Sequence, residues 1–97
     1  MDPKQLENFV LRMTGNDNKI GPAAHALKQR FGLEGFGDPN VFDCDDRAEI
    51  AIRELKKRGY EGKTKIQRSV AGRVAHRYVS FADDKGEHHI MRKPDDY

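Results

Sequence analysis

Apolar residues recur at helical spacing through the first half of the chain and alternate with polar ones in the second. Leu6, Phe9, Val10 and Met13 fall on one helical stripe. Asp2-Pro3 supplies an N-cap and a first helical residue and Gly15 a stop, so a helix is predicted over 3–14. Gly15-Asn16-Asp17-Asn18 is turn chemistry. Ala23, Ala26, Leu27 and Phe31, between Gly21-Pro22 and Gly32, predict a second helix over 22–31. The strongest stripe is Ala48, Ala51, Ile52 and Leu55, with Ile50 beside it, and it predicts a helix over 44–58 with Asp43 as N-cap. Glu49–Arg53 and Glu54–Arg58 are supporting i,i+4 pairs, Lys56, Lys57 and Arg58 suit the C-terminal dipole, and Gly59 suits the stop.

Beyond Gly62 the period changes. Residues 63–70 read as a strand with a polar face near a sheet edge, and Gly72 breaks it. Residues 74–81 read as a clearer strand, Val79 and Phe81 alternating with Tyr78 and Ser80. Asp83-Asp84-Lys85-Gly86 is a hairpin turn, 87–92 a return strand, and 94–97 a tail with no need to be ordered. Helices first and a small antiparallel sheet last define an α+β fold in one domain, 1–97, with the sheet packed on the helix that begins at Cys44.

Composition narrows the class. Ninety-seven residues, 36% hydrophobic and 35% charged, support one modest core. No apolar run is long enough to span a bilayer, and no apolar region of a signal peptide opens the chain. One cysteine cannot make an internal disulfide, which fits a reducing compartment. The expected location is the cytoplasm, or the cytoplasm of a host. Charge is uneven: residues 1–48 hold 6 basic and 8 acidic side chains, and residues 49–97 hold 12 and 8. Residues 53–73 alone hold 8 basic and 2 acidic. Such a run could attract nucleic acid, although only Tyr60 and Tyr78 lie near it as stacking groups, and a solvated face accounts for it more simply.

The candidate chemistry lies at 42–46. Cys44 follows the longest irregular stretch, 32–43, and opens the third helix. A thiol there meets unpaired N–H groups and the positive end of the helix dipole, which favour its thiolate form. His76 opens a later strand and is a candidate base for that nucleophile. If the 83–86 turn pairs positions summing to about 169, His76 lies opposite Lys93, and Asp95 is two positions along on the same face, a candidate orienting acid. Asn40 is a candidate second oxyanion donor beside the Cys44 N–H. His88-His89 with Asp83 and Asp84 offers metal-ligand chemistry, but adjacent strand residues point to opposite faces, so no metal site is expected. Gly32, Gly35 and Gly37 lack a following Lys-Ser/Thr, so no phosphate loop and no cofactor is expected.

These residues resemble the transglutaminase-like cysteine fold, in particular its small bacterial or phage protease-like branch. Asp43-Cys44-Asp45-Asp46-Arg47-Ala48 is similar to that family's Gly-Asp-Cys-x-Asp-x-Ala at the start of its buried helix. Leu55 with Arg58-Gly59-Tyr60 is similar to the family's helix end, and His76-Arg77-Tyr78-Val79-Ser80-Phe81 to its His-Ala-x-Val-x-Val strand. The likeness covers about residues 42–92. It departs at Phe42, at Arg77 and on the return strand, where Met91 stands at the family's acidic position. The resemblance implies Cys44 as nucleophile, His76 as base and a structural, supporting role behind Cys44 for Asp46. It also implies acyl transfer on a peptide or isopeptide bond of a protein or peptide substrate, with hydrolysis expected over crosslinking. The alternatives are a non-catalytic protein on the same fold, as virion component or protein-binding inhibitor, and a small nucleic-acid-binding protein.

Overall fold

The computed structural model describes residues 2–97, an α+β arrangement of three helices and two small antiparallel sheets. Helix α1, Pro3–Thr14, begins where the Asp2 carboxylate accepts the Lys4 N–H, and it ends at Gly15, whose N–H returns to Leu11 O at 2.7 Å. Helix α2, Pro22–Phe31, ends on Gly32 in the left-handed conformation that glycine adopts without a Cβ penalty. Helix α3, Cys44–Lys57, carries a full capping box: Asp43 accepts the Asp45 N–H at 3.1 Å and Asp46 accepts the Asp43 N–H at 2.9 Å.

Strands β1 (Lys19–Ile20) and β2 (Val41–Phe42) pair antiparallel, and nothing in the apolar pattern predicts them. Two-residue strands have no period to read. Their pairing closes the segment that contains α2 and the glycine-rich loop, and sets Phe42 into the core immediately before Cys44.

The larger sheet runs β3 (Lys63–Arg68), β4 (Ala75–Asp83), β5 (Gly86–Ile90), in that order. Pairs such as Val79↔Ile90 and Asp83↔Gly86 follow the expected register of 169 around a two-residue turn. β3 lies at an edge, as its polar pattern predicts, and leaves Ile66 exposed. The return strand stops at Ile90, short of the expected Arg92, because Met91 has φ 64.

Helix α3 is the central element. Ala48, Ile50, Ala51 and Leu55 are buried, and they share one core with Leu6 and Val10 of α1 and Val79, Phe81 and Ile90 of the sheet. On α2 the buried face is Ala24 and Lys28, whereas the expected Ala23 and Ala26 are exposed. The reason is electrostatic. Lys28 Nζ lies 3.0 Å from Asp46 Oδ1, with the two side chains 2% and 4% exposed, and donates to Phe36 O in the glycine-rich loop. The Asp46 atom makes no well-directed hydrogen bond there, so the contact with α3 is chiefly an ion pair.

Candidate functional site

A cleft of about 640 Å³ opens where α1, the 16–18 turn, the start of α3, the start of β4 and the segment after β5 converge. Cys44 and His76 both line it. Cys44 is partly exposed at the first position of α3, set there by the capping box and by buried Phe42. Its sulfur makes one long contact, 3.9 Å to Asp45 Oδ1. No hydrogen bond joins it to His76 among the described residues.

The two carboxylates beside Cys44 are each matched by a cation. Asp45 accepts from Arg77 Nε at 2.7 Å and Asp46 faces Lys28. Arg47, three positions after Cys44, is buried and donates to the carbonyls of Gly15 and Asp17, which ties the 15–17 turn to α3. Burial pulls the Arg47 guanidinium below its usual range, and the charges of Cys44, Asp43, Asp46 and Asp17 act against that pull. Asp43, Cys44 and Asp45 bring three ligand-type atoms within 4.8 Å of one another, but Asp43 is committed to the cap and Asp45 to Arg77.

His76 reaches the cleft from β4. Arg77 extends to the first turn of α3, and Val79 lies close against Leu55 and Ile52 of that helix in the crowded space around Gly62. His76 and Tyr78 occupy the alternate positions, on the side of the strand opposite Arg77 and Val79, and His76 lines the cleft from there. The ring is held at one nitrogen. Nε2 lies 2.6 Å from Met91 O, and because a carbonyl only accepts, Nε2 carries the proton and the neutral ring keeps Nδ1 free of one. Burial lowers the His76 pKa, the Met91 contact opposes this, and Lys93 and Arg47 reinforce it. These influences favour the neutral imidazole, the form a general base requires.

The other expected site residues lie elsewhere. Asp95 is exposed and bound to Arg92, so the expected orienting acid is not on His76; the turn at Met91 takes the chain off the register that would have carried it there. Asn40 bonds to His25 Nε2 at 2.6 Å and does not line the cleft. Asp46 is buried beneath the helix start in the cap and the Lys28 pair. His88 bonds to Asp83 and stacks near Phe81, while His89 turns to Glu87 and Tyr78, so the adjacent histidines diverge. The tail is ordered by specific bonds. Gln67 holds both backbone groups of Lys93, and Tyr97 donates its hydroxyl to Gln67 O and returns its carbonyl to Val70 N.

Among the cleft residues that the sequence reading did not assign to a site are Glu7, Arg47, Arg77 and the Met91 backbone. Arg47 had a signal, since three positions along a helix from Cys44 is the same face. Met91 had none, because its role depends on a backbone angle. The basic run at 53–73 divides between the α3 end, where Arg53, Lys57 and Arg58 pair with Glu49 and Glu54, and the exposed edge strand β3. No helix is long and apolar enough to cross a membrane among the described residues.

Comparison of the chain with protein-family models, curated proteins and solved structures finds no match of any of the three kinds.

Proposed function

We propose that the cleft is a thiol acyl-transfer site on a transglutaminase-like core, with Cys44 as nucleophile and His76 as base. The observation that carries this reading is that one cleft gathers the cysteine of a helix start and a histidine whose ring is fixed at Nε2. The element order supports it too: a cysteine helix, a strand, a histidine strand and a return strand, in sequential antiparallel pairing.

In this reading the Cys44 thiol gives its proton to Nδ1 of His76, and the thiolate attacks an amide carbonyl. The Cys44 N–H, at the first position of α3 and without an intrahelical partner, faces the developing oxyanion. The tetrahedral intermediate collapses as the amine leaves with the proton from Nδ1. Water then attacks the thioester, His76 takes its proton, and the acid and free thiol are released. The substrate is an amide bond of a peptide or protein. No hydrogen bond joins the sulfur to the imidazole, so this reading requires substrate binding to draw them together, as happens where catalytic hydrogen bonds tighten only in the complex.

A second reading has its own observation. Arg77 reaches the first turn of α3 from β4, and Arg47, Arg92 and Lys93 also line the cleft, against the carboxylates of Glu7 and Asp17. That charge suits a non-catalytic cleft for an acidic peptide.

Alkylation separates the two. In the acyl-transfer reading, iodoacetamide modifies Cys44 at pH 7, and His76→Ala slows the reaction at least about tenfold as the thiolate fraction falls. Equal rates in the two proteins would remove His76 as the base and leave the binding cleft.

A further inference from the structure

We propose that Met91 is a positioning residue for His76: its backbone carbonyl stands in for an orienting acid and holds the imidazole as the Nε2–H tautomer.

The argument begins with conformation. Met91 is the one non-glycine residue with positive φ among the described residues, at 64°. A side chain with a Cβ is disfavoured there and persists only where its surroundings over-determine it. Here they do. The Met91 N–H donates to Glu7 Oε1 at 2.5 Å, from a helix 84 positions earlier in the chain. Its carbonyl accepts from His76 Nε2 at 2.6 Å, and its side chain is buried in the core. The residues that follow are also held, since Lys93 bonds at both N–H and C=O to the side-chain amide of Gln67. Gln67 is the cross-strand partner of His76. Regular continuation of β5 would place Met91 opposite Tyr78 and Lys93 opposite His76; the left-handed turn instead ends the ladder and brings a carbonyl to the ring.

A carboxylate in that position would orient the ring and also favour the imidazolium. A carbonyl orients it with a partial charge only. Lys93 and Arg47 further disfavour the protonated ring. The resulting site keeps a neutral, directed imidazole whose Nδ1 is free to accept a proton. The value of that free nitrogen rests on the acyl-transfer reading; the positioning of the ring does not.

The test is long-range proton–nitrogen NMR of the imidazoles in the full-length, nitrogen-15-labelled protein, near pH 7.5, with Cys44 alkylation measured in parallel. The wild-type protein is expected to show His76 as a single Nε2–H tautomer. Met91→Gly keeps a residue at ease with positive φ and is expected to retain that tautomer. Met91→Val, β-branched and poorly suited to positive φ, is expected to average the tautomers and slow alkylation about tenfold, the loss of roughly one good hydrogen bond. A wild-type ring that is Nδ1–H or averaged overturns the proposal, and needs no variant to fold. So does a folded Met91→Val protein with unchanged tautomer and rate. A fixed Nε2–H ring with alkylation indifferent to His76 upholds the positioning and sinks the acyl-transfer reading, so the two failures are told apart.

Discussion

Asp46 carries two duties in one carboxylate. Oδ2 accepts the Asp43 N–H and completes the capping box that presents Cys44, while Oδ1 faces the buried Lys28 ammonium. Removing it leaves that ammonium buried with the Phe36 carbonyl as its hydrogen-bond acceptor. Breaking a buried pair from one side costs about 3 to 5 kcal/mol, whereas an exposed pair contributes about 1 kcal/mol or less. Asp46→Ala is therefore expected to lower the unfolding free energy by about 4 kcal/mol. Asp45→Ala, which removes the solvent-facing contact with Arg77, is expected to lower it by under about 1 kcal/mol. Urea unfolding of both variants measures this, and equal losses would contradict the division of labour. The cap was legible in the order Asp43-Cys44-Asp45-Asp46. The partner of Asp46 was not, because a lysine on a mostly small-residue helix reads as solvent-facing until the helix is seen docked.

The junction between α3 and the sheet depends on Gly62. A Cβ there would lie 2.9 Å from Leu55 Cδ1, 3.2 Å from Ile52 Cγ1 and 3.3 Å from Val79 Cγ1. Leu55 and Val79 are fully buried, so neither has open space to yield into. Gly62→Ala is expected to cost about 1 to 3 kcal/mol through overcrowding, and a thermal melt with no downward shift would show that the junction can relax. The elements themselves followed local chemistry. α1 and α2 keep their predicted bounds, and α3 stops one residue early, with Arg58 as its C-cap. The β4–β5 register could be read because a two-residue turn leaves little choice of pairing. The end of β5 could not: Met91 leaves the ladder for contacts with Glu7 and His76, both remote in sequence. That single backbone angle separates the expected His76–Asp95 contact from the observed His76–Met91 one. Asn40 fails for a similar reason, since the β1–β2 pairing and His25 hold its loop away from the cleft.

Across the described residues the molecule is a slab of 41 × 36 × 20 Å, with α3 against β4 and α1 against both α3 and β5. The cleft belongs to no single element. Its walls come from both ends of the described chain, joined where Glu7 of α1 meets Met91 beyond β5. The buried Lys28 gives this assembly a chemical reporter. Of the nine lysines in the chain, Lys28 is buried, Lys19 partly so, and the rest are exposed. An amine-reactive acetylating reagent should mark the exposed lysines in the native protein within minutes and leave Lys28 untouched. Its eventual modification should track unfolding, accelerating in urea in step with the loss of structure, and peptide mass spectrometry follows each site separately. Early native-state acetylation of Lys28 would mean that α2 lifts from α3 without global unfolding. An acetylated Lys28 would also lack the charge that Asp46 requires, so acylation of the unfolded chain should leave a protein unable to close α2 onto the helix that bears Cys44.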